Sequence, residues 1–120
     1  MAKFQHILVV DKQADVAELL RGILEQCGYR VSVAAGDGDV RSILLRESVD
    51  LLVADVALRS DAGIALADRA EKLGIPSLLI SGDIERMTAL GAGQRPFIAK
   101  PFRLAKFTEL ISEILAKPKD

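Results

Sequence analysis

ILVVDKQADVAELLRGILEQCGYRVSVAA, residues 7–35, holds two apolar runs separated by an amphipathic stretch, and its reading decides the fold. "ILVV" at 7–10 and "VSVAA" at 31–35 are strand-length and mostly unalternated, as strands buried on both faces are. Between them Val16, Leu19, Leu20, Ile23, Leu24 and Cys27 recur at helical spacing over 13–27, and Gly28 stops the pattern. Cys27 lies on that stripe and is expected in the core.

The unit repeats along the chain. "LLVA" 51–54, "LLI" 78–80 and "FIA" 97–99 read as further strands. Residues 39–47 read as a helix with Asp39 as its N-cap, and 63–73 as another, ended by Gly74 and Pro76. Residues 83–90 form a short, weak helix between Asp83 and "GAG" 91–93. In 103–116, Leu104, Phe107, Leu110, Ile111, Ile114 and Leu115 restore a clean apolar stripe. Strand and helix alternating five times predict an α/β fold: a doubly wound five-stranded parallel sheet with helices on both faces, in one domain over 1–120. No linker, repeat or low-complexity segment interrupts it.

Composition narrows the function classes. Sixteen basic and 17 acidic residues leave a net charge of −1, which offers no electrostatic footprint for nucleic acid. One cysteine forms no internal disulfide, which suits a reducing cytoplasm. The apolar stretch before Asp11 is too short for a signal peptide, and no run approaches a membrane span.

The polar residues that interrupt this apolar pattern stand at strand ends: Asp11 after the first, Asp55 after the third, Ser81 after the fourth, Lys100 after the fifth. Open α/β sheets bind ligands outside the carboxyl ends of their strands, where the strand order reverses. With the order 2-1-3-4-5, Asp11 and Asp55 stand roughly one strand spacing apart, about 5 Å, and Lys100 about 10 Å further along the sheet, within a lysine's lean. Such a cluster suits phosphoryl chemistry. A carboxylate attacks phosphorus, a lysine and usually Mg²⁺ offset the charge, and a hydroxyl bonds a phosphoryl oxygen.

In "ILVVD", "DLLVAD" with Gly63 eight residues after Asp55, "LLISG" and above all "FIAKPF", the chain resembles the receiver domain of two-component response regulators. The resemblance covers essentially the whole chain and implies a flavodoxin-like sheet. It implies Asp55 as phosphoacceptor, Lys100 as the phosphoryl contact, Ser81 as the switch hydroxyl and Phe97 as the aromatic switch residue. Asp11, Asp55 and the backbone carbonyl of Ala57 would hold Mg²⁺, and the Lys100–Pro101 bond would be cis. It also implies a histidine kinase or phosphotransfer protein as donor, a downstream protein partner, and a homodimer face built from 83–90, the fifth strand and the last helix.

The chain departs from that pattern in three places. Receivers carry two adjacent acids after the first strand; here the second is Lys12, in place of the acid that binds Mg²⁺ directly. Arg59 replaces a frequent proline. The stretch from Ser81 to Lys100 is short, which curtails the helix over 83–90. Lys12 has three readings: an ammonium in solvent, a cation near Asp55 that partly substitutes for metal, or the mark of a receiver that is no longer phosphorylated. Mg²⁺ binding is expected to be weak.

Other features have plainer readings. Asp11 is a cap of the first helix, a metal ligand, or both. "GDGD" 36–39 lacks the later acids of a calcium loop and reads as a turn. "GAG" precedes a strand, which excludes a dinucleotide loop. His6 is structural or at the surface, not a phosphotransfer histidine. The expectation is a single-domain cytoplasmic receiver phosphorylated on Asp55, not an enzyme in the usual sense, whose output is protein contact. A pseudo-receiver that binds protein without phosphorylation is the serious rival. A flavodoxin-like enzyme is the weak one, having no glycine-rich phosphate loop after the first strand.

Overall fold

The computed structural model describes residues 4–56, 62–82 and 95–117. Its strands are β1 (His6–Val10), β2 (Arg30–Ala34), β3 (Leu51–Val56), β4 (Ser77–Ser81) and β5 (Phe97–Ala99). Its helices are α1 (Ala14–Gln26), α2 (Asp37–Arg46), α3 (Ala62–Lys72) and α4 (Leu104–Ala116). The strands pair in parallel in the order β2-β1-β3-β4-β5, the doubly wound, flavodoxin-like sheet expected. The helix expected over 83–90, with its "GAG" end, lies outside the described residues, as does Ala57.

Two core layers explain why the strands are apolar throughout. Successive side chains of a strand point to opposite faces. Leu8, Val10, Leu52, Ala54 and Leu79 meet Val40 and Ile43 of α2 and Leu66, Ala67 and Ala70 of α3. Ile7, Val9, Leu51, Val53, Leu78 and Ile80 meet Ala17, Leu20 and Leu24 of α1 and Phe107, Ile111 and Ile114 of α4. With both faces covered, no strand position in the middle of the sheet is left for a polar side chain.

Glycines end two helices by one geometry. Gly28 at φ +94° donates to the Glu25 carbonyl while Tyr29 donates to Leu24. Gly74 at φ +78° donates to Glu71 while Ile75 donates to Ala70. Each is a left-handed C′ residue that satisfies the last open carbonyls and turns the chain towards the next strand.

Three expectations need correction. Cys27 is exposed, not core. The helix ends at Gln26, and Cys27, as its C-cap, sits at the exposed turn from which the chain returns to the sheet at β2. Leu19 belongs to the periodic stripe by spacing but is 61% exposed, because α1 buries only Ala17, Leu20 and Leu24 and Leu19 lies about 100° round from Leu20. Asp39 is not the N-cap of α2. The helix starts at Asp37 behind Gly36, which leaves Asp39 in the first turn, where a negative charge suits the helix dipole.

His6 is buried at the amino end of β1. Its backbone N–H donates to Asp50 Oδ2 at 2.8 Å. Its Nδ1 lies 2.8 Å from the Ser48 carbonyl and its Nε2 2.7 Å from Ser32 Oγ. A carbonyl only accepts, so Nδ1 bears a proton and donates it to Ser48, while Nε2 and the Ser32 hydroxyl share the second bond. The residue ties β1 to β2 and to the turn before β3, and is structural. His6→Phe would keep ring volume but strand both partners. A loss of about 1–3 kcal/mol is expected in urea denaturation, the usual cost of unpaired buried polar groups.

Candidate functional site

The carboxyl ends of β1, β3, β4 and β5 bring four polar residues to one edge of the sheet. Val10 of β1 lies beside Ala54 of β3, so Asp11 stands next to Asp55. Val56 lies beside Ser81, and Ser81 beside Ala99, which puts Lys100 one residue beyond the end of the ladder. The strand order reverses on either side of β1, and the recess at that reversal is where a ligand is expected.

Asp11 is only 4% exposed. Its backbone N–H extends the ladder to the Ala34 carbonyl at 3.1 Å. Its Oδ1 accepts the Gln13 backbone N–H at 2.8 Å, a local turn that brings the chain into α1. Gln13, not Asp11, is the N-cap by position. The sequence reading missed this N–H as a partner, although an Asp two residues before a helix N-cap is its usual signal. Asp11 Oδ2 is buried and, among the described residues, is the one such side-chain atom with no hydrogen-bond partner.

Burial is the main cause that holds the Asp11 carboxyl above the usual carboxylate range. The Gln13 N–H pulls it back. The neighbouring Asp55 charge raises it, and Lys100 lowers it.

Asp55 Oδ2 accepts Lys100 Nζ at 2.8 Å. The Lys100 backbone N–H donates to the Ser81 carbonyl at 2.8 Å, so the residue is pinned to β4 while its side chain crosses to β3. The Lys100–Pro101 bond is cis. Ser81 is buried at the end of β4. Phe97 is half-buried against the layer of α2 and α3. Lys12 is exposed and makes no hydrogen bond or ion pair among the described residues. It is not brought together with Asp11, Asp55 and Lys100.

Two carboxylates and one lysine leave the edge with one negative charge in excess. A buried carboxylate oxygen without a donor, beside a second carboxylate, fits a hard cation that prefers oxygen ligands, Mg²⁺ among them. The fit rests on Asp11 and Asp55, because no group of three or more His, Cys, Asp or Glu gathers among the described residues. No described helix is long and apolar enough to cross a membrane.

The sequence model of the response regulator receiver domain matches residues 7–112. The regulatory protein VirG of Rhizobium rhizogenes is 31% identical over 108 residues, covering 86% of this chain and 45% of VirG. The chain spans about half the length of the curated regulators of this kind that it matches. Among solved structures, a CheY-like receiver domain protein from Methanospirillum hungatei superposes with a TM-score of 0.81 at 30% identity, covering 94% of each chain. The response regulator TrrA of Thermotoga maritima, solved in complex with Mg²⁺ and BeF, has a TM-score of 0.81 at 20% identity, over 92% of this chain and 99% of its own. At that identity it shows the fold alone.

Asp11 generates a test in stability. Its pKa is raised in the folded state, so the folded protein keeps this proton to higher pH than the unfolded chain does. The stability tied to that proton is present below the ordinary carboxylate range and is lost as pH rises through the folded value. Asp11→Asn keeps an oxygen for Gln13 and gains an N–H for Asp55. It should match the wild type near pH 4 and exceed it near pH 7 by on the order of 1 kcal/mol in urea denaturation.

Proposed function

The chain belongs to the response regulator receiver domain family, and from that premise we propose that Asp55 is its phosphoacceptor. An Asp55 carboxylate oxygen bonds to phosphorus as the P–N bond of a donor phosphohistidine breaks, leaving an acyl phosphate on Asp55 and the donor imidazole free. The observation that carries the reading is the 2.8 Å pair of Lys100 and Asp55 beside the buried Asp11. Lys100 is already in place to offset the charge that gathers on the transferred group, with no reorganisation at the moment of transfer. Asp11 keeps an acceptor-only carboxylate next to it.

Receiver domains typically bind Mg²⁺, and they interact with histidine kinases and downstream effectors. In this chain Asp11 and Asp55 would hold the ion, with the Ala57 carbonyl that the family resemblance adds. When bound, it supplies charge neutralisation at the phosphoryl oxygens. Lys12 replaces an oxygen ligand by a cation, so the affinity for Mg²⁺ is weak. Output follows from the acyl phosphate. Its oxygens draw the Ser81 hydroxyl, Phe97 takes the vacated space, and the surface over β5 and α4 changes shape for a protein partner. Phe97 has no hydroxyl to re-pair, so the coupling is shallow, about 1–3 kcal/mol.

The pseudo-receiver reading rests on one residue, Lys12 in the position of the second acid, and the same experiment decides between them. A small phosphodonor with Mg²⁺ should add one phosphate to the wild type and none to Asp55→Asn, read by intact mass. Equal labelling of both would remove Asp55 from the role, and no labelling of the wild type would leave the pseudo-receiver. Lys12→Asp restores an oxygen ligand and removes a cation. It should tighten Mg²⁺ about tenfold, the equivalent of 1.4 kcal/mol, in titrations of both proteins at one ionic strength.

A further inference from the structure

Arg95 reaches from the approach to β5 onto the outer surface of α3. Its guanidinium donates to Asp68 Oδ1 and, at 2.9 Å, to Glu71 Oε2. The two acids are three residues apart on α3, so one turn of the helix offers both to one planar donor. The Arg95 side chain is 21% exposed, against 55% for Asp68 and 70% for Glu71. Arg95 and Glu71 line a small cleft of about 200 Å³ together with Ile75, Pro76, Ser77 and Pro96.

What this contact holds is a very short strand. β5 has three residues and, among the described residues, pairs only with β4. Backbone bonds tie its two ends: Leu79 donates to the Pro96 carbonyl at 3.1 Å, and Lys100 donates to the Ser81 carbonyl at 2.8 Å. Side chains tie them again, to different places. Lys100 anchors the carboxyl end to Asp55, and Arg95 anchors the amino end to α3. Between the anchors Phe97 packs against the layer that contains Leu66, Ala67 and Ala70 of α3.

We propose that Arg95, gripped by Asp68 and Glu71, is a positioning residue for Phe97: it fixes the start of β5 to α3 and so sets where the Phe97 ring rests before Asp55 is phosphorylated. The regulatory meaning rests on the reading of Phe97 as the ring that responds to Asp55; the grip itself does not. A phosphoryl group on Asp55 acts on the Lys100 anchor, and the Arg95 anchor opposes it from the other end. The two acids are exposed, so salt weakens the grip as the Debye length falls from about 10 Å at 0.1 M to about 3 Å at 1 M.

The test uses the full chain labelled with fluorophenylalanine, whose four sites are Phe4, Phe97, Phe102 and Phe107. Fluorine spectra are recorded without any phosphodonor for the wild type, Arg95→Gln, Asp68→Asn with Glu71→Gln, and the triple combination. The Phe97 resonance should move in Arg95→Gln, move alike when both acids are neutralised, and move no further in the triple variant. Phe107, buried on the opposite face of the sheet, should stay where it is. Salt should move Phe97 of the wild type the same way and leave Arg95→Gln unchanged, and Arg95→Lys, which keeps the charge but not the planar guanidinium, should recover part of the position. A Phe97 resonance unmoved in Arg95→Gln, or displacements that simply add in the triple variant, would overturn the proposal. If Phe107 moves as well, the wild-type salt titration decides: a Phe97 shift with Phe107 fixed supports the grip, and its absence refutes it. Failure of phosphate uptake with a responsive Phe97 rejects the Asp55 reading and keeps the grip; uptake with an unresponsive Phe97 does the reverse.

Discussion

A parallel sheet covered on both faces leaves its central strands room for polar side chains only at their ends. In this protein β1 contributes Ile7 and Val9 to one layer and Leu8 and Val10 to the other, and β3 divides Leu51 and Val53 from Leu52 and Ala54 in the same way. The first carboxylates past the covered apolar runs are Asp11 and Asp55, and they are neighbours because β1 and β3 are. Everything chemical in the molecule follows from that exclusion. The core pushes its charges to an edge, and the strand order decides which charges share it.

The two edges of the sheet then differ in kind. At the amino edge His6 is fully satisfied, with both ring nitrogens and its backbone N–H engaged by Ser48, Ser32 and Asp50. A satisfied buried polar cluster specifies the fold and does little else. At the carboxyl edge Asp11 Oδ2 is left buried without a donor, next to a second carboxylate. Native structures rarely leave such an atom, and where they do, the atom usually has a function to serve. The contrast between a closed network and an open one is the physical basis for assigning function to one edge and stability to the other.

Within the open edge, magnitudes rank the charges. At an effective dielectric near 20, a unit charge 4 Å away is worth about 4 kcal/mol before screening. Lys100 acts at hydrogen-bond distance on Asp55. Lys12 stands exposed with no pair among the described residues, so water attenuates its charge. β5 is governed by the same site from one end only. With three residues and, among the described residues, one neighbouring strand, it carries a side-chain anchor at each end, Lys100 on Asp55 and Arg95 on α3.

The chain's periodicity determined most of the architecture by itself. Unalternated strands, helices between them and glycines at 28 and 74 were legible because each reflects a local rule: burial on two faces, a 3.6-residue repeat, and a left-handed helix end. The candidate site was legible in outline, since polar residues after apolar runs stand out and "FIAKPF" is specific. Other features belonged to the tertiary structure. Leu19 and Cys27 match the stripe yet face solvent, because the stripe is wider than the surface α1 covers. The orphaned oxygen of Asp11 depends on how closely β1, β3 and the Gln13 turn pack round it. The grip of Arg95 on Asp68 and Glu71 joins residues 24 to 27 positions apart, and nothing in local spacing announces it. Periodicity reports which way a side chain points; only the packed fold decides what it meets there.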